Sequence, residues 1–218
     1  MTEIDLIDKI RKDKIIAIVR GISVEKILDT AAALRNGGIH FIEVPFMQDS
    51  PSCIEDTAAS IRLISSHFDD VYVGAGTVMT IEQTEAACKA GAHYIISPDS
   101  NDEVIKKSRS LGMLSIPGAF TPTEIVHAYH AGATFVKVFP SGILGCDYIK
   151  AIRSPISNIP LLAVGGVNLE NIPDFYASGY IGFGVGGNLV NKTSIETGDF
   201  AAITDQAKKY VAVIDHLS

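Results

Sequence analysis

Apolar runs of strand length recur along the chain, and each is followed by a longer segment that mixes polar and apolar residues in helical fashion. The runs are IIAIVR (15–20), IHFIEV (39–44), VYVGAG (71–76), HYIIS (93–97), MLSIP (113–117), TFVKVF (134–139), PLLAVG (160–165) and YIGFGVG (180–186). Between them lie segments such as SVEKILDTAAALRNGG, where Ser23 is placed to cap a helix and Gly37 with Gly38 to stop it. TIEQTEAACKAGA, NDEVIKKSRSLG and TPTEIVHAYHAGA repeat the device, each with a polar start and a glycine end. The pattern is a βα unit repeated eight times. Near-continuous apolar strands mark a parallel sheet covered by helices, and eight such units close most simply into a (β/α)₈ barrel, with a doubly wound open sheet as the alternative. A charged amphipathic segment at about residues 4–12 predicts an additional N-terminal helix over the barrel bottom. No Pro/Ser-rich linker or low-complexity tract divides the chain, so one barrel domain over 1–218 is expected.

Composition narrows the partners. The formal net charge is −7 and no Lys/Arg-rich run occurs, which argues against nucleic acid or an anionic membrane. Cys53, Cys88 and Cys146 are far apart, odd in number and without metal-ligand spacing, as in a reduced cytoplasmic protein. MTEIDLIDKIRKDK lacks the apolar core of a signal peptide, and no apolar run reaches membrane-spanning length.

In a barrel of this kind chemistry gathers at the C-terminal ends of the strands. Those ends carry Arg20, Glu43, Gly74-Ala75-Gly76-Thr77, Ser97-Pro98, Pro117-Gly118, Lys137 with Phe139, Gly165-Gly166 and Gly186-Gly187-Asn188. Two ionisable groups stand inside strands. Alternation places Lys137 on a face with Phe135 and Phe139, and Glu43 on a face with Phe41 and Ile39. If both faces point inward, the two side chains meet in the barrel mouth. A buried structural ion pair is one outcome. The other is a desolvated, neutral amine that attacks a carbonyl to form a Schiff base, with Glu43 moving protons and Pro98 and Phe139 keeping the amine dry.

Two glycine pairs after the seventh and eighth strands offer bare backbone N–H groups where barrels often hold a phosphate. Arg20 presents a fork suited to a carboxylate, and Thr77 adds a hydroxyl. Together these groups outline a substrate with a 2-keto acid at one end and a phosphate at the other. His127 and His130 have the i, i+3 spacing of a metal pair but no third ligand, and Gly74-Ala75-Gly76 is an incomplete dinucleotide fingerprint, so neither metal nor cofactor is expected.

Over nearly its full length the chain resembles the class I 2-keto-3-deoxy-6-phosphogluconate/4-hydroxy-2-oxoglutarate (KDPG/KHG) aldolase family. The resemblance rests on IAIVRG, GGIHFIEVPF, VGAGTV, YIISP, IPGAFTPTE, FVKVFP, LAVGGV and GVGGNL, in that order. It implies that Lys137 is the Schiff-base lysine, Glu43 the acid/base glutamate and Thr77 a contact to the pyruvoyl portion. The glycines 165, 166, 186 and 187 would form the phosphate site, with Asn188 where many members have serine. It further implies a metal-free, cofactor-free mechanism and a homotrimer. The implied reaction yields pyruvate and glyceraldehyde 3-phosphate, or pyruvate and glyoxylate from 4-hydroxy-2-oxoglutarate. Gluconate-type members often carry arginine four residues after the glutamate, where this chain has Met47. Galactonate-type members instead look like this chain, with RGI, AVGGV and a KxFPS…G…YIKA stretch. Rival readings keep the barrel but change the role: a phosphosugar isomerase or decarboxylase without a covalent lysine, or a non-catalytic sugar-acid binding protein.

Overall fold

A computed structural model describes residues 2–217. Strands β1 (Ile15–Ile18), β2 (Phe41–Pro45), β3 (Tyr72–Gly76), β4 (Tyr94–Ile96), β5 (Leu114–Ile116), β6 (Gly118–Ala119), β7 (Val136–Val138), β8 (Leu161–Val164) and β9 (Gly182–Val185) pair in the order β5-β4-β3-β2-β1-β9-β8-β7-β6. All pairings are parallel. The outermost members, β5 and β6, are halves of one stave interrupted at Pro117, which has no N–H to give to a ladder. Closure follows, because the N–H of Thr134 donates to Ser115 O at 2.8 Å and that of Lys137 to Pro117 O at 2.9 Å. The sheet is therefore a (β/α)₈ barrel and not an open one. The fifth strand, expected to end at Pro117, continues past it to Ala119.

Helices α1 (Glu3–Asp13), α2 (Ile27–Asn36), α3 (Cys53–His67), α4 (Ile81–Lys89), α5 (Asp102–Ser110), α6 (Pro122–His130), α7 (Ser141–Arg153), α8 (Ile172–Ser178), α9 (Lys192–Glu196) and α10 (Phe200–Asp215) surround it. Thr80, Asn101 and Thr121 cap α4, α5 and α6 through their side chains, as their positions predicted. Ser23 does not cap α2. It precedes a single 3₁₀ turn, Val24–Lys26, makes no side-chain cap bond, and leaves the helix to begin at Ile27.

Alternation along the strands sorts side chains into two layers. Outward residues such as Ile42, Val44, Val73, Val136 and Phe183 pack beneath the helices. Inward residues Ile16, Phe41, Tyr94, Leu114, Phe135 and Leu162 fill the barrel's lower half, where Leu6 and Ile10 of α1 close it from below. Burying these two side chains contributes about 1.5–3 kcal/mol each. Ile39, expected on the inner face with Phe41, lies instead in the outer layer, because β2 starts only at Phe41. With the lower half filled, open volume is left to the end where the strands finish.

Candidate active site

Register sets Glu43 opposite Ile18 and Gly74, and Lys137 opposite Gly118 and Leu162. Each stands on the inner face of its strand, directly beyond a floor residue, Phe41 or Phe135. Both line an open cavity of about 470 Å³ at the C-terminal end of the barrel. Arg20 and Thr77 line the same cavity, as do Pro98 and Phe139. Gly165, Gly166, Gly186, Gly187 and Asn188 complete it. The structure thus brings together every site residue expected from the sequence, drawn from seven different staves, with Glu43 and Lys137 inside their strands and the others on the loops that follow.

Lys137 is 7 % exposed and Glu43 2 %, yet they form no ion pair within 4.0 Å. Burial pushes the Lys137 amine below the ordinary lysine range, Arg20 adds to the effect, and only Glu43 opposes it. Burial likewise raises the Glu43 carboxyl, against the pull of Lys137 and Arg20. Both groups are therefore drawn towards their neutral forms. One carboxyl oxygen, Glu43 Oε2, is buried without a hydrogen-bond partner. Orphaned acceptors of this kind are uncommon in folded proteins and concentrate at functional sites. The Lys137 nitrogen lies 4.7 Å from the centre of the Phe139 ring.

Room for these groups comes from β3. A β-carbon on Gly76 would overlap the Glu43 carboxylate, and one on Gly74 would overlap the ring of Tyr94. The Tyr94 hydroxyl, 2.8 Å from Ile42 O and 3.3 Å from Tyr72 O, fixes that ring as a rigid floor. Gly74-Ala75-Gly76 is thus a packing motif, stripped of side chains on its inner face so that a glutamate and a tyrosine fit.

At one side of the cavity, Arg20 Nη2 donates to Thr77 Oγ1 at 2.8 Å. Thr77 has φ 55, a left-handed conformation that costs a side-chain-bearing residue roughly 1–2 kcal/mol. At the other side, Gly165 and Gly166 adopt φ 86 and 78, which lets their loop turn tightly against Gly142 and the Phe139 ring. Among the described residues, the N–H groups of Gly166 and Gly187 donate to no protein acceptor. Asn188 Nδ2 donates to Val167 O at 2.8 Å and ties the loops after β8 and β9 together. The arrangement offers a carboxylate-sized fork and hydroxyl, a central amine and acid, and a glycine-lined anion cradle.

His127 and His130 lie outside this cavity, and His127 Nε2 is 2.7 Å from Asp102 Oδ1 on the outer surface. Among the described residues no helix is long and apolar enough to cross a membrane. Sequence reasoning missed Tyr94 and two glutamines, Gln48, which bonds Thr77 O from outside, and Gln83, which bonds Gln48. For Tyr94 the one legible signal was the small-residue alternation in β3; the glutamines left none.

The KDPG and KHG aldolase family model matches residues 6–206. Over 176 residues the chain is 36 % identical to the 2-dehydro-3-deoxy-6-phosphogalactonate aldolase of Escherichia coli (strain K12), spanning 80 % of this chain and 83 % of that protein. A solved native KDPGal structure superposes with a TM-score of 0.83 at 34 % identity, covering 93 % of this chain and 95 % of that one. The KDPG aldolase of Legionella pneumophila, solved with pyruvate captured as a covalent carbinolamine intermediate, superposes with a TM-score of 0.82 at 26 % identity, covering 91 % and 94 %.

Proposed function

The chain belongs to the KDPG and KHG aldolase family, and on that premise we propose that it catalyses reversible aldol cleavage of a 2-keto-3-deoxy-6-phospho sugar acid to pyruvate and glyceraldehyde 3-phosphate. The observation that carries this reading is Lys137, a buried amine without an ion-pair partner, lining one cavity with a carboxylate-binding pair and a glycine cradle. The neutral amine attacks the C2 carbonyl, and protonated Glu43 gives a proton to the departing hydroxyl as the carbinolamine loses water. The Glu43 carboxylate so formed takes the C4 hydroxyl proton while the C3–C4 bond breaks. Its electrons enter the iminium, leaving an enamine on Lys137 and releasing the aldehyde. Protonation of the enamine at C3, then hydrolysis, frees pyruvate and restores the amine. Arg20 and Thr77 hold the carboxylate, and Gly166 and Gly187, with Gly165, Gly186 and Asn188 around them, hold the phosphate. Pro98 and Phe139 keep water from the amine.

Met47 stands where gluconate-type members often carry arginine, so the carboxylate falls to Arg20, and the RGI and AVGGV stretches favour the galactonate epimer. The likeness to the E. coli galactonate-type enzyme supports the same choice. Pyruvate release from the two epimeric phosphorylated acids tests it. A higher kcat/KM for the galactonate epimer is expected; preference for the gluconate epimer reverses the assignment, and no pyruvate from either removes it. From the family resemblance we also propose a homotrimer, and from the unpaired cysteines a cytoplasmic setting; sedimentation velocity on the purified chain checks the trimer, with a monomer as the contrary result.

A further inference from the structure

Thr77 meets Arg20 only because its backbone is held in the left-handed region, which a β-branched residue does not favour. What holds it is a chain of amides. Gln48 Nε2 donates to Thr77 O at 2.8 Å, Gln83 Nε2 donates to Gln48 Oε1 at 2.9 Å, and the N–H of Met79 donates to Gln83 Oε1 at 2.8 Å. A carbonyl that can only accept stands at one end and a backbone N–H that can only donate at the other, so both glutamine amides have a single permitted orientation. Gln83 is 5 % exposed, in the first turn of α4, and its own N–H donates to Thr80 Oγ1. Gln48 sits in the loop after β2, five residues past Glu43. The amides therefore clamp the loops after two neighbouring staves around the residue that faces the arginine.

We infer that Gln48 and Gln83 are positioning residues for the carboxylate subsite: they hold Thr77 with its hydroxyl against Arg20 and so set the affinity for the keto acid without touching it. The inference rests on the aldolase reading above. It predicts that loss of either amide loosens the keto-acid end of the cavity and leaves the anion cradle, on the loops after β8 and β9, as it was.

Exchange of pyruvate methyl protons in deuterium oxide, followed by NMR, isolates that end, since it needs only the keto acid, the amine and a proton carrier. Gln83→Met keeps the volume and removes both bonds; Gln48→Leu removes the middle link from an exposed position. Both should raise half-saturating pyruvate about tenfold, the effect of weakening one charge-assisted hydrogen bond. Plateau exchange should stay within about twofold, and inhibition by inorganic phosphate should not change. Unaltered half-saturation overturns the inference, as does a parallel loss of plateau rate and phosphate inhibition, which marks general loosening. If Gln83→Met does not fold, Gln48→Leu decides alone. A wild-type protein that exchanges no pyruvate protons removes the aldolase reading and this inference with it, whereas normal exchange in all three proteins removes only the inference.

Discussion

Glu43 and Lys137 are buried in one cavity without pairing: no Glu43 oxygen lies within 4.0 Å of the Lys137 nitrogen. A buried charge left unpaired costs several kcal/mol, so both groups are held nearer neutrality than they would be in water. That is unfavourable for the fold and useful for imine chemistry, which needs a free amine beside an acid.

Lys137→Met should end turnover and raise stability, by about 0.5–2 kcal/mol as other replacements of strained functional groups do. The sign with pH follows from the lowered amine. Between its folded value and the ordinary lysine value, the unfolded chain binds a proton that the native state lacks, so wild-type stability rises with pH there. The variant's advantage is therefore greatest below that window and shrinks as pH approaches about 10.4. Urea denaturation across pH checks this; an advantage that grows with pH would mean a charged, stabilised lysine.

Glu43→Gln preserves shape and removes proton transfer. Pyruvate methyl exchange should slow by about 10²–10⁴-fold, while a pyruvate adduct still forms on the protein. Because catalysis starts from protonated Glu43 and burial raises that carboxyl, the limb on which the wild-type rate falls with rising pH should lie above the usual glutamate value of about 4.3. A limb at or below that value would show a solvated carboxylate.

Gly76→Ala tests the packing of the site. Its methyl would land on the Glu43 carboxylate, which must leave its present position to make room. Overpacking of this sort costs about 1–3 kcal/mol, and turnover should fall with the displaced acid. Thermal unfolding together with steady-state kinetics measures both; normal values for both would mean that Glu43 moves freely.

At Gly187 the opposite holds, since an added β-carbon meets nothing within 4 Å and the backbone is not left-handed. Gly187→Ala should therefore fold within about 0.5 kcal/mol of wild type. Its methyl intrudes on the anion cradle, so KM for the phosphorylated acid should rise while half-saturating pyruvate in the exchange reaction stays put. Equal effects on both, or none on either, would place the phosphate elsewhere.

Much of this was legible before any coordinates. The eight staves and the inward faces of Lys137 and Glu43 follow from a period of two, which barrel closure leaves no freedom to violate. Errors arose where one local feature was read alone. Ser23 looked like a cap but opens a 3₁₀ turn, and Pro117 looked like an end but interrupts a strand that carries on. The clamp on Thr77 was invisible for a different reason. Gln48 and Gln83 are 35 residues apart, and only the meeting of loops from β2 and β3 brings their amides together. Gly74 and Gly76 did carry a signal, but it becomes readable only when the bulky Tyr94 and Glu43 are known to fill the space that they leave.

The most direct measurement is mass spectrometry with peptide mapping after incubating the protein with pyruvate and borohydride. A reduced pyruvate adduct on Lys137, absent from Lys137→Met, is the predicted result. No adduct on folded protein, under conditions that label a known pyruvate aldolase, would contradict imine chemistry at Lys137 and leave that residue a structural or ligand-binding group.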